Sequence, residues 1–189
     1  MNSLTYREMY GFGNGASYRK RYSSQSCRGA SFYFLDKIMK NQLIDVNHFN
    51  IREIELMHKN YVKNKTVNDL NNDEINKFDT LELVNKYSGS IITFKWFNLS
   101  PSDYTMNRNV IIEELGKSLY PCGTIHLRDH AMAYGSDDKY LYLYDPDFGL
   151  MRFMRNREEL NEFFSAINER NNLKNISLLR ASTKIRVNA

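Results

Sequence analysis

The chain has 189 residues, 42% of them hydrophobic and 25% charged. That apolar content supports one packed domain, the length is short for two, and the balance excludes wholesale disorder. No run approaches the roughly 18 apolar residues of a membrane span, and the N-terminus, MNSLTYREMYGFGNGASYRKRYSS, lacks the apolar stretch of a Sec signal peptide.

Residues 1–24 are rich in Gly, Ser, Asn and Tyr without a period, and read as a flexible arm ahead of one domain over 25–189. Residues 1–28 are basic. Arg7, Arg19, Lys20, Arg21 and Arg28 stand against Glu8 alone, which accounts for the whole net charge of +4. Such an arm is solvated in the plainest reading, and at most touches an acidic surface through Arg19, Lys20 and Arg21. The remaining basic residues are dispersed and the aromatic ones follow core-like patterns, so no nucleic-acid partner is expected. The protein is expected to be a monomer.

From Cys27 the pattern turns helical. Phe34, Leu35, Ile38 and Met39 place one apolar face on a helix of about residues 27–42, with Ser24 or Ser26 as its cap. A second helix is expected over 50–62, with Ile51, Ile54, Met57 and Tyr61 on one face. A third spans 71–87, capped by Asn71 or Asn72, with Ile75, Phe78, Leu81 and Val84 as its stripe. "SIITFKWF" (90–97) fits a strand or a buried piece of helix, and 106–119 is helical. After Pro121 the character changes. "GTIHLR", "HAMAY", "KYLYLYD" and "GLMRF" are four short strand-forming runs separated by turns. A helix over 156–169 and a last strand, "ISLLRA", follow. Helices first and antiparallel strands later predict an α+β fold.

The hairpin around "HAMAYGSDDKYLYLYD" carries the chemistry. With Asp137-Asp138 as its two-residue turn, Ser136 faces Lys139 and His130 lies directly opposite Asp145. His130, Met132, Tyr134, Leu141, Leu143 and Asp145 then share one face, and Ala131, Ala133 and Gly135 oppose Tyr144, Tyr142 and Tyr140 on the other. A one-residue slip would send His130 and Asp145 to opposite faces. Asp147 and Asp129 are rival carboxylates. Each of these residues also has an ordinary structural reading, a satisfied histidine and a turn-forming DPDFG.

Two cysteines do not make a disulfide framework, and the default is two reduced thiols. Cys27 stands where a polar loop becomes a helix, and the helix dipole and free N–H groups there favour a thiolate. Arg28 adds positive charge next door, and Gly29 leaves the first turn open to a substrate. Cys122 lies in a Pro-Cys-Gly turn with no helix to polarise it. Cys122, His126 and His130 are each four apart, but Gly123, Thr124 and Ile125 favour strand, where four residues span about 13 Å and one metal cannot bridge them. No metal and no cofactor are expected.

With Cys27, His130 and Asp145 in that order, the chain resembles the papain-like cysteine proteases, and most of all the YopT/AvrPphB family of bacterial type III effector proteases. The resemblance rests on Cys27 at a helix start, His130-Ala131-Met132-Ala133, and Asp145-Pro146 with Phe148-Gly149. It covers about residues 22–45 and 121–155. It implies a papain-like domain in which a helix carrying the nucleophile packs on a C-terminal antiparallel sheet. It implies a cysteine protease with Cys27 as nucleophile, His130 as acid and base and Asp145 as its orienting group. It further implies type III-like secretion, action in the host cytoplasm and a host protein as substrate. The family, like papain, has Gln or Asn five or six residues before the Cys to complete the oxyanion hole. Here Tyr22 and Arg21 hold those positions, and Gln25 is the nearest amide. The same triad would equally serve a glutamine deamidase or an acyl or amide transferase. A binding module without catalysis, docking through the basic arm, is the reading outside enzymology.

Overall fold

The computed structural model describes residues 27–40, 43–44, 49–168, 172–182 and 186–187. The arm, Ser24, Gln25 and Ser26 lie outside the described residues. The first helix, α1 (Cys27–Met39), is followed by a two-residue strand β1 (Leu43–Ile44), α2 (Ile51–Val67) and α3 (Asn72–Lys86). Then come β2 (Ile91–Asn98), α4 (Tyr104–Lys117), β3 (Pro121–Leu127), β4 (Ala131–Ser136), β5 (Tyr140–Asp145) and β6 (Gly149–Met154). Helix α5 (Arg157–Ile167), β7 (Leu173–Ala181) and the short β8 (Arg186–Val187) complete the chain.

Asparagine does much of the helix punctuation. Asn50, Asn71 and Asn156 each cap a helix by accepting the N–H three residues on, at 3.2, 2.8 and 2.9 Å. Asn71 completes a capping box, because Glu74 accepts the Asn71 N–H at 3.0 Å. The α3 stripe differs from the expected one. Ile75 and Thr80 are its buried residues and Leu83 and Val84 pack on the core, while Phe78 and Leu81 are only half-buried on the flank.

The sheet is antiparallel throughout, in the order β2-β7-β3-β4-β5-β6. "SIITFKWF" is therefore a strand, at the sheet edge against β7. On one face α1 packs with Ala30, Phe34, Leu35 and Ile38 against Cys122, Ala133, Tyr142, Tyr144 and Leu179. Phe34 stacks on Tyr144 with ring centres 5.2 Å apart. On the other face α4 and α5 bring Ile111, Leu115, Phe163 and Phe164 onto Met132, Tyr134, Leu141 and Leu143. The fold is α+β, as expected, but it is layered: helices cover both faces. That is why β4 and β5 read as continuous apolar runs and are buried nearly end to end.

The hairpin register is displaced by two residues from the expected one. Ala133 pairs with Tyr144 and Gly135 with Tyr142. The turn is Asp138-Lys139, because the Asp137 carboxylate closes it by accepting the N–H groups of Lys139 and Tyr140 at 2.8 and 2.7 Å. A displacement of two preserves parity. Both faces keep the residues assigned to them, and small still opposes large. His130 and Asp145 become diagonal instead of directly opposed neighbours.

Candidate active site

Three chain segments meet at one edge of the α1–sheet interface. Cys27 opens α1 and is half-buried. The Ser31 hydroxyl, one turn on, lies 2.8 Å from Cys27 O and 3.0 Å from Ala131 O. It shares its proton between them and ties the helix start to the first residue of β4. His130 precedes that residue. It leaves the Arg128-Asp129 turn, which is closed by the Leu127 N–H donating to His130 O at 2.8 Å.

Asp145 ends β5. Its Oδ1 accepts from His130 Nε2 at 2.7 Å and from the Asp147 N–H at 2.9 Å. The turn returns through Phe148, whose N–H donates to Asp145 O at 3.0 Å, and through Gly149 at φ 106°. Only glycine takes that backbone conformation without strain. This turn therefore aims Asp145 at the ring across the diagonal, a distance a carboxylate and an imidazole span easily.

Cys27 lies near enough to the same imidazole to raise its pKa, by hydrogen bonding and by charge. With Nε2 taken by Asp145, Nδ1 is the nitrogen left for the sulfur. Asp147 also approaches Nδ1, with Oδ2 at 3.9 Å. The rival carboxylate is thus part of the cluster. Among the described residues, His130, Asp145 and Asp147 have ligand atoms close enough to share a metal ion. Cys122 and His126 are not in that group, which agrees with the strand reading of "CGTIHLR".

His130 and Asp145 are 8% and 7% exposed. Burial by itself would lower the imidazole pKa. Hydrogen bonding to Asp145 and Cys27, together with their charges, outweighs it and lifts the pKa to about 9. A proton held more tightly in the folded state stabilises the fold in full below the unfolded value of about 6.5 and is lost as pH rises through 9. Thermal unfolding of the native protein should therefore show Tm falling between pH 6.5 and 9.5. The His130→Gln variant should lack that part of the slope, and identical slopes would mean the ring is not held as an imidazolium.

Cys122, the other thiol, is 1% exposed within the core, and burial pushes its pKa up to about 12. Cys27 instead lines a cleft of about 690 Å³ together with His130, His126, His58 and Tyr61. Two expectations for α1 are corrected. Gly29 does not open the first turn to a substrate: a Cβ there would lie 2.6 Å from Ile54 O, so the glycine lets α2 approach α1. Arg28 is not a free cation beside the thiol. It is buried, donating to Asp79 Oδ2 at 2.7 Å, Asn76 Oδ1 at 2.8 Å and Ile75 O at 3.1 Å, between the rings of Phe32 and Tyr61. It anchors the helix that begins with Cys27 to α3. Sequence reading missed Ser31 and Asp79. Neither has a local signal, since each acts through a partner far along the chain.

A helix with a cysteine at its N-terminus is laid on an antiparallel sheet that carries a histidine and a carboxylate. The fold is that of AvrPphB. The crystal structure of this Pseudomonas avirulence protein superposes with a TM-score of 0.61 at 14% identity, over 96% of this chain and 100% of that one. A second solved structure, the cysteine protease-like domain PatoxP of the Photorhabdus asymbiotica toxin PaTox, matches at a TM-score of 0.38 and 11% identity, over 89% of this chain and 57% of that one. No protein-family model and no curated protein sequence matches the chain.

Proposed function

We propose that the protein is a cysteine protease in which Cys27, His130 and Asp145 form the catalytic triad. The observation that supports this most directly is the chain of contacts Cys27–His130–Asp145, assembled from residues 103 and 15 positions apart, with Cys27 and His130 lining one cleft. The steps follow from the atoms. The Cys27 thiolate attacks the scissile carbonyl carbon, and the oxyanion is met by the free N–H groups of the first α1 turn. The imidazolium protonates the leaving amine, which departs and leaves a thioester. Water, deprotonated by the now neutral His130, attacks the thioester and releases the acid and the thiol. Asp145 keeps Nε2–H pointed at itself, so that Nδ1 faces sulfur. Gln25 is the proposed side-chain donor of the oxyanion hole.

The substrate is proposed to be a host protein, and the protein a type III effector, on the strength of the AvrPphB-like fold. It has no helix long and apolar enough to cross a membrane among the described residues. The test is alkylation by iodoacetamide at neutral pH, read by mass spectrometry. Cys27 is expected to react at least ~10²-fold faster than Cys122 in the native fold, and to fall to ordinary thiol rates in His130→Ala. Equal, slow labelling of both thiols would end the proposal.

A further inference from the structure

The Cys27 cleft contains a second histidine for which the triad has no use. His126 lies on β3 and is only 2% exposed, yet it lines the same cleft as Cys27 and His130. Phe32 and Trp96 flank its ring, with centroids at 6.0 and 5.9 Å. Its Nε2 lies 3.0 Å from Thr124 Oγ1, and Nδ1 has no hydrogen-bond partner among the described residues.

Counting protons in the buried network behind it gives the tautomer. Thr80 spends its hydroxyl proton on Asn76 O at 2.8 Å. Ser177 Oγ accepts the Thr124 N–H at 2.7 Å, and the acceptor within reach of its own proton is Thr124 Oγ1 at 2.9 Å. The Thr124 proton then has two destinations, His126 Nε2 at 3.0 Å or Thr80 Oγ1 at 3.5 Å. The longer contact is outside hydroxyl hydrogen-bond range, and a fully buried hydroxyl needs a partner. Nε2 is therefore the acceptor and the ring proton sits on Nδ1. Burial and the nearby Arg28 charge hold the ring neutral, with its pKa well below the usual value.

We propose that His126 is a specificity-determining residue, its Nδ1–H donating to a side-chain oxygen, carboxylate or carboxamide, of the substrate bound beside Cys27. The proposal rests on the reading of Cys27 as the nucleophile. An N–H donor in a largely apolar, buried setting is costly to strand, so a substrate without the oxygen binds less well there. Arg28 stacks on Phe32, the residue that also flanks His126, so the donor is held on a rigid floor.

The test uses the full chain and peptidyl chloromethyl ketones that are identical except for one side chain, Asp, Asn, Leu or Lys, placed at either of the two residues before the reactive group. The readout is the rate of Cys27 modification, with iodoacetamide as the reference. At one of the two positions the Asp or Asn probe is expected to react about 10–100-fold faster than the Leu probe. His126→Gln keeps an amide near the Nε2 position for Thr124 but removes the donor from the cleft. It should erase the preference and leave the iodoacetamide rate unchanged. His126→Asn places an amide N–H near the Nδ1 position and should restore part of it. Equal rates for all four probes on the native protein, or a preference that survives His126→Gln, would overturn the proposal. Failure of the triad reading shows separately, as slow iodoacetamide labelling of the native Cys27.

Discussion

Asp145→Ala is expected to lower the rate of hydrolysis about 10⁴-fold, the size of loss seen when the acidic member of such a triad is removed. Two bonds vanish together, the 2.7 Å bond from His130 Nε2 and the 2.9 Å bond from the Asp147 N–H that braces the turn. The ring loses its orientation and its counter-charge in a site only 7–8% exposed, where water replaces neither. Asp145→Asn separates the two effects. Its amide oxygen accepts both N–H groups, so orientation persists and a larger share of the rate survives. The charge is gone, so the alkaline fall in activity moves from about pH 9 to lower pH. Asp147 supplies the decisive control. Its Oδ2 is 3.9 Å from Nδ1, too far for a hydrogen bond, so Asp147→Asn should cost less than ~10-fold. The reverse order of these effects, in a steady-state assay on a cleaved peptide, would move the orienting role to Asp147.

Gly123→Ala is the second large effect, and it acts on the fold. A Cβ at 123 would lie 2.1 Å from Ser177 O and 2.9 Å from Tyr134 Oη. The obstruction is largely backbone: β3 and β7 run side by side there, and Tyr134 donates its hydroxyl proton to the same Ser177 O at 2.8 Å. Relieving the clash means separating two central strands or breaking a buried hydrogen bond, and each is among the routes to unusually large destabilisation. A loss of about 4 kcal/mol or more is expected, a drop in Tm on the order of 10 °C for a chain of this length. Gly89→Ala, with nothing within 4 Å of its Cβ, is the matched control and should leave Tm nearly unchanged. A Gly123→Ala protein as stable as the control would show that the strands can part at little cost.

The elements were largely legible because their signals are local. Helical spacing placed α1, α2 and α3 to within a few residues, and the capping asparagines stand where side chains with a short acceptor belong. Where reading failed, a side chain outside the local pattern had intervened. Asp137 folded back on the N–H groups of Lys139 and Tyr140 and moved the turn by one residue. Helix α2 ran on to Val67 because its polar tail carries no stop signal before Asn68. Gly29 looked like access to the thiol when it is helix packing, since the neighbour that needs the space is Ile54 in another helix.

By itself the sequence determined which residues share a face. Strand parity is a period of two, and any even displacement of register leaves it intact, so His130 and Asp145 had to emerge on the same side of the hairpin. Tertiary structure alone decided what that face meets. The Ser31 tie to Ala131, the burial of Arg28 on Asp79 and the proton order through Ser177, Thr124 and His126 join residues 51 to 100 apart, except for the step within β3. Such contacts leave no spacing signal in the chain, because they depend on how helices and strands stack rather than on any repeat along them.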